Sequence, residues 1–169
     1  MDPVRHLVFM GVSGSGKSTA ALAVQDRLGW EFAEGDDFHP PENVEKMSND
    51  IPLTDDDRWP WLESLADWTA ERDARGQPTI VSCSALKRSY RDVLRRGGQA
   101  TFFVHTTADK DLLLERMSSR RGHFMPPTML DSQLDTLEQL EPDEAGMVID
   151  AADPPSKIVS MVLERLDLG

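Results

Sequence analysis

An α/β fold, built as a five-stranded parallel sheet with helices on both faces, is predicted by three observations. Residues Gly11-Val12-Ser13-Gly14-Ser15-Gly16-Lys17-Ser18 match the pattern G-x-x-x-x-G-K-[S/T]. The match lies between an apolar run, Leu7-Val8-Phe9-Met10, and a helix-forming run, Thr19-Ala20-Ala21-Leu22-Ala23-Val24, which is the strand-loop-helix setting the pattern requires. Beyond it, short β-branched or aromatic runs alternate with helical patterns to the end of the chain. Alternation of that kind gives parallel strands joined by right-handed crossovers.

The first strand delivers the glycine loop, whose small residues let backbone N–H groups curl around an anion at a helix N-terminus. Gly11, Ser13, Gly14, Ser15, Gly16, Lys17, Ser18 and Thr19 are therefore the candidate phosphate ligands. Lys17 reaches the β- and γ-phosphates in such a loop, and the Ser18 hydroxyl is the candidate Mg²⁺ ligand. A second strand over Trp30 to Ala33 ends at Glu34, Asp36 and Asp37. Carboxylates at a strand's C-terminal end can accept a proton from a hydroxyl or hold Mg²⁺ through water; an acidic turn capping the next helix is the competing reading. Glu42 to Asn49 follows as a short helix. A longer helix begins in the acidic turn Asp55-Asp56-Asp57, buries a stripe at Trp61, Leu62, Leu65 and Trp68, and stops at Arg75-Gly76-Gln77-Pro78.

Thr79 to Cys83 reads as the third strand, and Lys87 and Arg91 after it share one face if both are helical. Such a pair suits either a substrate carboxylate or a solvated face. Ala100 to His105 is the fourth strand, and Asp109 caps a helix bearing Arg116, Arg120 and Arg121. Next to Gly122-His123-Phe124-Met125-Pro126-Pro127 those arginines fit a short lid that folds over a γ-phosphate, or else plain surface charge. Leu130, Leu134 and Leu137 mark another helix, Met147 to Asp150 a fifth strand, and Ile158 to Leu166 the buried stripe of a closing helix after the Asp153-Pro154-Pro155 loop.

The 169 residues suit a single domain over 1–169. One cysteine, Cys83, excludes an intrachain disulfide and fits a reducing, cytoplasmic setting. The apolar run near the N-terminus is too short for a membrane span. A net charge of −12 argues against nucleic acid or an anionic membrane as partner, so an anionic substrate must be drawn in by local Lys and Arg. No N-K-x-D or T-K-x-D guanine motif occurs, which disfavours a nucleotide switch.

Several further blocks carry a resemblance. Gly35-Asp36-x-x-His39-Pro40, Asn43-x-x-Lys46-Met47, Pro52-Leu53-x-Asp55-Asp56-Asp57-Arg58, Cys83-Ser84-Ala85-Leu86-Lys87-x-x-Tyr90-Arg91, Arg121-Gly122-His123-Phe124-Met125 and Ser132-Gln133-x-x-Thr136-Leu137-Glu138, with the glycine loop, resemble bacterial thermoresistant-type gluconokinases over nearly the whole chain. The resemblance implies ATP-dependent phosphorylation of the 6-hydroxyl of D-gluconate, with ATP and Mg²⁺ as cofactors, and a homodimer. It also implies the P-loop NTPase fold of the nucleoside-monophosphate-kinase type shared with shikimate kinase and adenylate kinase, a substrate region at about 36–60 and a lid at about 120–127. By the same resemblance, Asp36 falls where the shikimate-kinase relatives place a carboxylate beside the attacking hydroxyl. Arg116 falls where a guanidinium stacks on adenine, with the loop at Pro154 on its other face, and Arg120 where there is a lid arginine. One departure is Glu34, where many gluconokinases carry aspartate. Gluconate is a polyol carboxylate. It calls for cations at one end, here Arg58, Lys87 and Arg91, and for hydrogen-bonding groups along its hydroxyls, here His39, Lys46, His123 and Gln133.

Overall fold

The computed structural model describes residues 4–12, 15–49, 51–98, 100–119 and 127–167. Five strands form one sheet: β1 (His6–Met10), β2 (Glu31–Glu34), β3 (Thr79–Ser82), β4 (Thr101–Thr107) and β5 (Gly146–Asp150). All pairings are parallel, in the order β2-β3-β1-β4-β5. The run Leu7-Val8-Phe9-Met10 has no alternation because β1 is central and buried on both faces. Leu7 and Phe9 pack on one side, in a core shared with α1 (Lys17–Leu28) and α7 (Pro155–Leu166). Val8 and Met10 pack on the other, against α3 (Asp55–Ala74), α4 (Arg88–Arg95) and α5 (Lys110–Ser119). Helices thus cover both faces, as the alternation predicts.

The order of strands creates the site. From β1 the chain runs out to β2 and returns to β3 beside β1, and β4 and β5 are added on the other side. Loops leaving β1 and β3 diverge at this reversal, and a crevice opens above the strand ends. The two loops remain stitched together, because Gly11 N donates to the Ser84 carbonyl at 3.2 Å and Cys83 N to the Phe9 carbonyl at 3.0 Å.

Short elements complete the acceptor side of the crevice. The acidic group after β2 is a 3-10 turn over Gly35–Phe38, followed by α2 (Pro41–Ser48) with proline at its first position. Thr54 starts α3 with a reciprocal capping box: Asp57 N donates to Thr54 Oγ1 at 3.2 Å and Thr54 N to Asp57 Oδ2 at 2.8 Å. The tryptophans of α3 are core residues. Trp61 is buried and donates from Nε1 to the Gly35 carbonyl at 2.8 Å, which ties α3 to the acidic turn. The arginine-rich segment at 120–126, read from sequence as most of a lid, lies outside the described residues; α6 (Pro127–Thr136) begins directly after it.

Candidate active site

The phosphate end is built by β1, the glycine loop and the first turn of α1. Gly16 caps α1 with φ 81°, a left-handed conformation that glycine adopts without steric cost. Gly11 meets its limit in space: a Cβ there would sit 2.5 Å from Ser15 Oγ and 2.7 Å from the Thr106 carbonyl. Buried Ser15 shares a 2.9 Å hydrogen bond with Thr106 Oγ1, which in turn donates to the Met10 carbonyl at 3.2 Å, so β4 braces the loop from below. Lys17 opens α1 and pairs with no carboxylate among the described residues. Ser13 and Gly14 lie outside the described residues.

Ser18 is held by a partner that sequence reasoning left doubtful. Its hydroxyl donates to Glu34 Oε2 at 2.8 Å, and the other Glu34 oxygen accepts from Ser82 Oγ at 2.5 Å. Parallel register explains the arrangement, since Glu34 pairs with Ser82 across β2 and β3. The longer glutamate thus reaches Ser18 from the strand end. A hydroxyl beside one carboxylate fits Mg²⁺, which keeps most of its waters and takes few protein oxygens when phosphates supply the rest. Ser82 was not singled out in the sequence; its position at a strand end, next to the glycine loop's strand, was the available signal.

A cleft of about 440 Å³ opens beside the loop, lined by Gly16, Thr19, Ala20 and Thr106 on one side and by Ala151 to Pro155 and Ile158 on the other. Thr19 and Pro154 therefore face the same space, which reaches the phosphate loop at Gly16. Arg116 belongs to α5, and its side chain is outside the described set, as are Arg120 and His123.

The acceptor end carries two linked clusters. His39 stacks on Trp61 with ring centroids 4.0 Å apart, and its Nδ1 accepts from Asn43 Nδ2 at 3.1 Å. Nε2 is then the donor, 3.9 Å from Asp36 Oδ1. Burial lowers the His39 pKa to about 4, with Asp36 opposing and Arg58 reinforcing the shift, so the ring is neutral at physiological pH. Buried Asn43 also donates to the Asp57 carbonyl at 2.9 Å, and Lys46 pairs with Asp57 Oδ2 at 2.8 Å. In the second cluster Asp55 takes two hydrogen-bond donors and lies beside a further cation. The Tyr90 hydroxyl hydrogen-bonds its Oδ1, Lys87 Nζ lies 3.3 Å from both its oxygens, and Arg58 Nη1 lies 3.8 Å away while donating to Tyr90 Oη at 2.6 Å. Burial, then Asp55, pushes the Tyr90 pKa up to about 12, which keeps the phenol protonated.

Buried Cys83 connects the two ends. It follows the last residue of β3, its N–H donates to the Phe9 carbonyl of β1 at 3.0 Å, and burial pushes its thiol up to about 12. Asp36 itself points outward, its side chain 67% exposed. Gln133 lies half-buried on α6, where its carbonyl accepts from Leu137 N at 2.9 Å.

Arg91 must be reassigned. It is fully buried, and its guanidinium forms a fork with Glu144: Nε to Oε1 at 2.7 Å and Nη2 to Oε2 at 3.0 Å. The remaining donors serve the carbonyls of Ala85, Leu86, Glu138 and Gln139. No donor is left for a substrate carboxylate. The expected face shared with Lys87 does not form, because Lys87 is the extended N-cap of α4, with φ −104° and ψ 149°. Of the three expected cations, Arg58 and Lys87 remain together, both beside Asp55.

Comparison with known proteins follows the same lines. The AAA domain family profile matches residues 7–140. The gluconokinase of Gluconobacter oxydans is 48% identical over 162 residues, covering 96% of this chain and 89% of that one. Among solved structures, a sugar kinase from a Janibacter species, unliganded, superposes with a TM-score of 0.93 at 54% identity, covering 99% of this chain and 96% of that one. A gluconokinase from Sinorhizobium meliloti superposes with a TM-score of 0.87 at 46% identity, covering 99% and 94%. With its phosphate loop, the cleft beside it and the cation cluster around Asp55 arranged on this fold, the chain belongs to the gluconokinase family.

Proposed function

We propose that this protein transfers the γ-phosphoryl group of ATP to the 6-hydroxyl of D-gluconate, giving 6-phospho-D-gluconate and ADP. The observation that carries the substrate side is Asp55: Arg58, Lys87 and the Tyr90 hydroxyl already converge on one carboxylate in the acceptor cluster. Cations and a phenol gathered in this way suit the carboxylate of an aldonate. Family membership supports the same assignment.

In this reading the backbone of the glycine loop cradles the phosphates and Lys17 neutralises charge that grows on the β- and γ-oxygens. Ser18, oriented by Glu34, would hold Mg²⁺, which would supply positive charge against the phosphates. The nucleoside lies in the cleft between Thr19 and Pro154. Asp36 orients the gluconate hydroxyl and takes its proton as the new O–P bond forms and the bond to ADP breaks. Arg58 and Lys87 hold the carboxylate, and His39 and Lys46 serve the hydroxyls. Gln133 and His123 join them at the hydroxyls, Arg116 stacks on adenine opposite the loop at Pro154, and Arg120 is the lid arginine over the γ-phosphate. The protein acts as one domain, a cytoplasmic homodimer; the lone thiol supports the reducing compartment, and the family resemblance supports the dimer.

A coupled ADP-release assay with ATP, Mg²⁺ and a panel of acceptors tests the assignment. Release that depends on D-gluconate supports it. Equal or faster turnover with shikimate or a nucleoside monophosphate would move the protein to another small-anion kinase activity.

A further inference from the structure

Arg91 and Glu144 form the most completely buried charge pair among the described residues, with both side chains at 0% exposure. A pair of this kind is expensive to bury, since desolvation offsets much of its attraction. Its geometry shows what it accomplishes. Arg91 Nη1 donates to the carbonyls of Ala85 at 2.9 Å, Leu86 at 3.3 Å and Glu138 at 3.1 Å, and Nη2 donates to Gln139 at 3.3 Å. Glu144 closes the far side by accepting from Glu141 N at 2.7 Å and from Arg95. Two further bonds cross the same seam, Glu138 N to the Leu86 carbonyl at 2.7 Å and Arg88 N to Glu138 Oε1 at 3.0 Å.

One guanidinium therefore fastens the loop leaving β3 to the segment that follows α6. That loop is strained where Arg91 grips it: Ala85 has φ 45°, a left-handed conformation unfavourable for a residue with a Cβ. Immediately beyond it stands Lys87, aimed at the acceptor cluster, and immediately before it Ser84 receives the Gly11 N–H of the phosphate loop. An apolar pair could fill the same volume, but it could not hydrogen-bond four carbonyls.

We infer that Arg91, neutralised by Glu144, is a positioning residue that sets the 84–87 loop so that Lys87 meets the gluconate carboxylate. The inference rests on the reading of Lys87 as a gluconate ligand. Lysine at position 91 keeps the charge opposite Glu144 but loses the fork. Arg91→Lys should raise the gluconate KM about tenfold while the ATP KM stays within about twofold, because displacement of a ligand by a fraction of an ångström falls on the group it positions. A role in stability alone would lower Tm and leave both KM values unchanged.

The decisive experiment is a double-mutant cycle on the gluconate KM with Arg91→Lys, Lys87→Met and the combination. The expected result is that each single substitution raises the gluconate KM and the pair raises it no further than Lys87→Met alone. Multiplying effects would overturn the inference while leaving Lys87 a ligand. A silent Lys87→Met would overturn it by removing the reading on which it rests. Glu144→Gln, an isosteric change, takes the place of Arg91→Lys in the cycle if the latter does not fold. In the unmodified protein, gluconate should slow amide hydrogen exchange in 84–87 and 138–144 together; protection confined to 84–87 would also count against the clamp.

Discussion

Mild acid should destabilise this protein through His105, before any carboxylate begins to matter. The ring sits on β4, 1% exposed, with no hydrogen-bond partner for Nδ1 among the described residues. Burial lowers its pKa to about 4, and the charge of Arg91 adds to the shift. In the unfolded chain the group titrates near 6.5. Between those values the unfolded state binds more protons than the native one, so stability is complete above about 6.5 and declines as pH falls towards 4. At pH 4.5 the loss from this one group amounts to about 2.5 kcal/mol. His39 adds in the same direction over the same window. The acids act lower down: Asp57 has its pKa lowered from 3.8 to about 2 by the Lys46 and Thr54 hydrogen bonds. For Glu144, burial opposes but the Arg91 and Arg95 hydrogen bonds prevail, so its contribution is lost only below 4.5. Urea unfolding at several pH values from 7 to 4.5, at constant ionic strength, measures the slope. His105→Gln should flatten it by about 2.5 kcal/mol over the interval, whatever the substitution costs at pH 7. Parallel curves for the variant and the parent protein would refute the argument.

Lys17→Ala should leave unfolding unchanged and lower kcat by about a hundredfold to a thousandfold or more, since the ammonium is proposed to serve developing phosphate charge and makes no ion pair among the described residues; near-parental turnover would remove the phosphate-loop assignment. Glu34→Gln should raise the Mg²⁺ concentration needed for half-maximal rate by about tenfold to a hundredfold, because it weakens the acceptor that orients Ser18, and an unchanged Mg²⁺ titration would make Glu34 merely structural. For Asp36, the asparagine and alanine variants separate two roles: a base predicts that Asp36→Asn loses about a hundredfold to ten-thousandfold in kcat with gluconate binding little altered, whereas a positioning group predicts that the amide keeps much of the rate and Asp36→Ala does not. Parental rates in both variants would shift attention to Asp37.

The strands and the phosphate loop were legible because each rests on local signals: apolar runs, glycine spacing, caps. β2 runs one residue further than its pattern predicted and includes Glu34, and β4 extends to Thr107. Arg91 was misread for a definite reason. An i, i+4 argument holds only when both residues are helical, and the helix starts at Arg88, one residue too late. Its true partner, Glu144, lies 53 residues away, and no local pattern announces it. The pairing of Glu34 with Ser82 was hidden in the same way, since it depends on which strands become neighbours and in what register. Asp55 was visible only as a helix-capping acid; its convergence with Tyr90 and Lys87 arises where α3 and α4 pack together.

The acceptor cluster also resolves an apparent contradiction between a chain of net charge −12 and two anionic ligands. Within the cluster the cations are matched to carboxylates, Lys46 to Asp57 and Lys87 with Arg58 to Asp55. Free cations at this site would repel one another, and lone acids would repel gluconate. Pairing removes both problems, and the pairs are not equally exposed. Asp57 is 19% exposed and fixed by the helix cap, whereas Asp55 is 46% exposed and can turn to solvent. An incoming carboxylate can therefore replace Asp55 as the partner of Lys87 and Arg58 while Asp55 is hydrated, an exchange of like for like in which little net electrostatic energy changes. Under the proposed binding mode, selectivity comes from what Asp55 cannot supply: a ligand that reaches from those cations to Asp36, with hydroxyls on the way for His39 and Lys46.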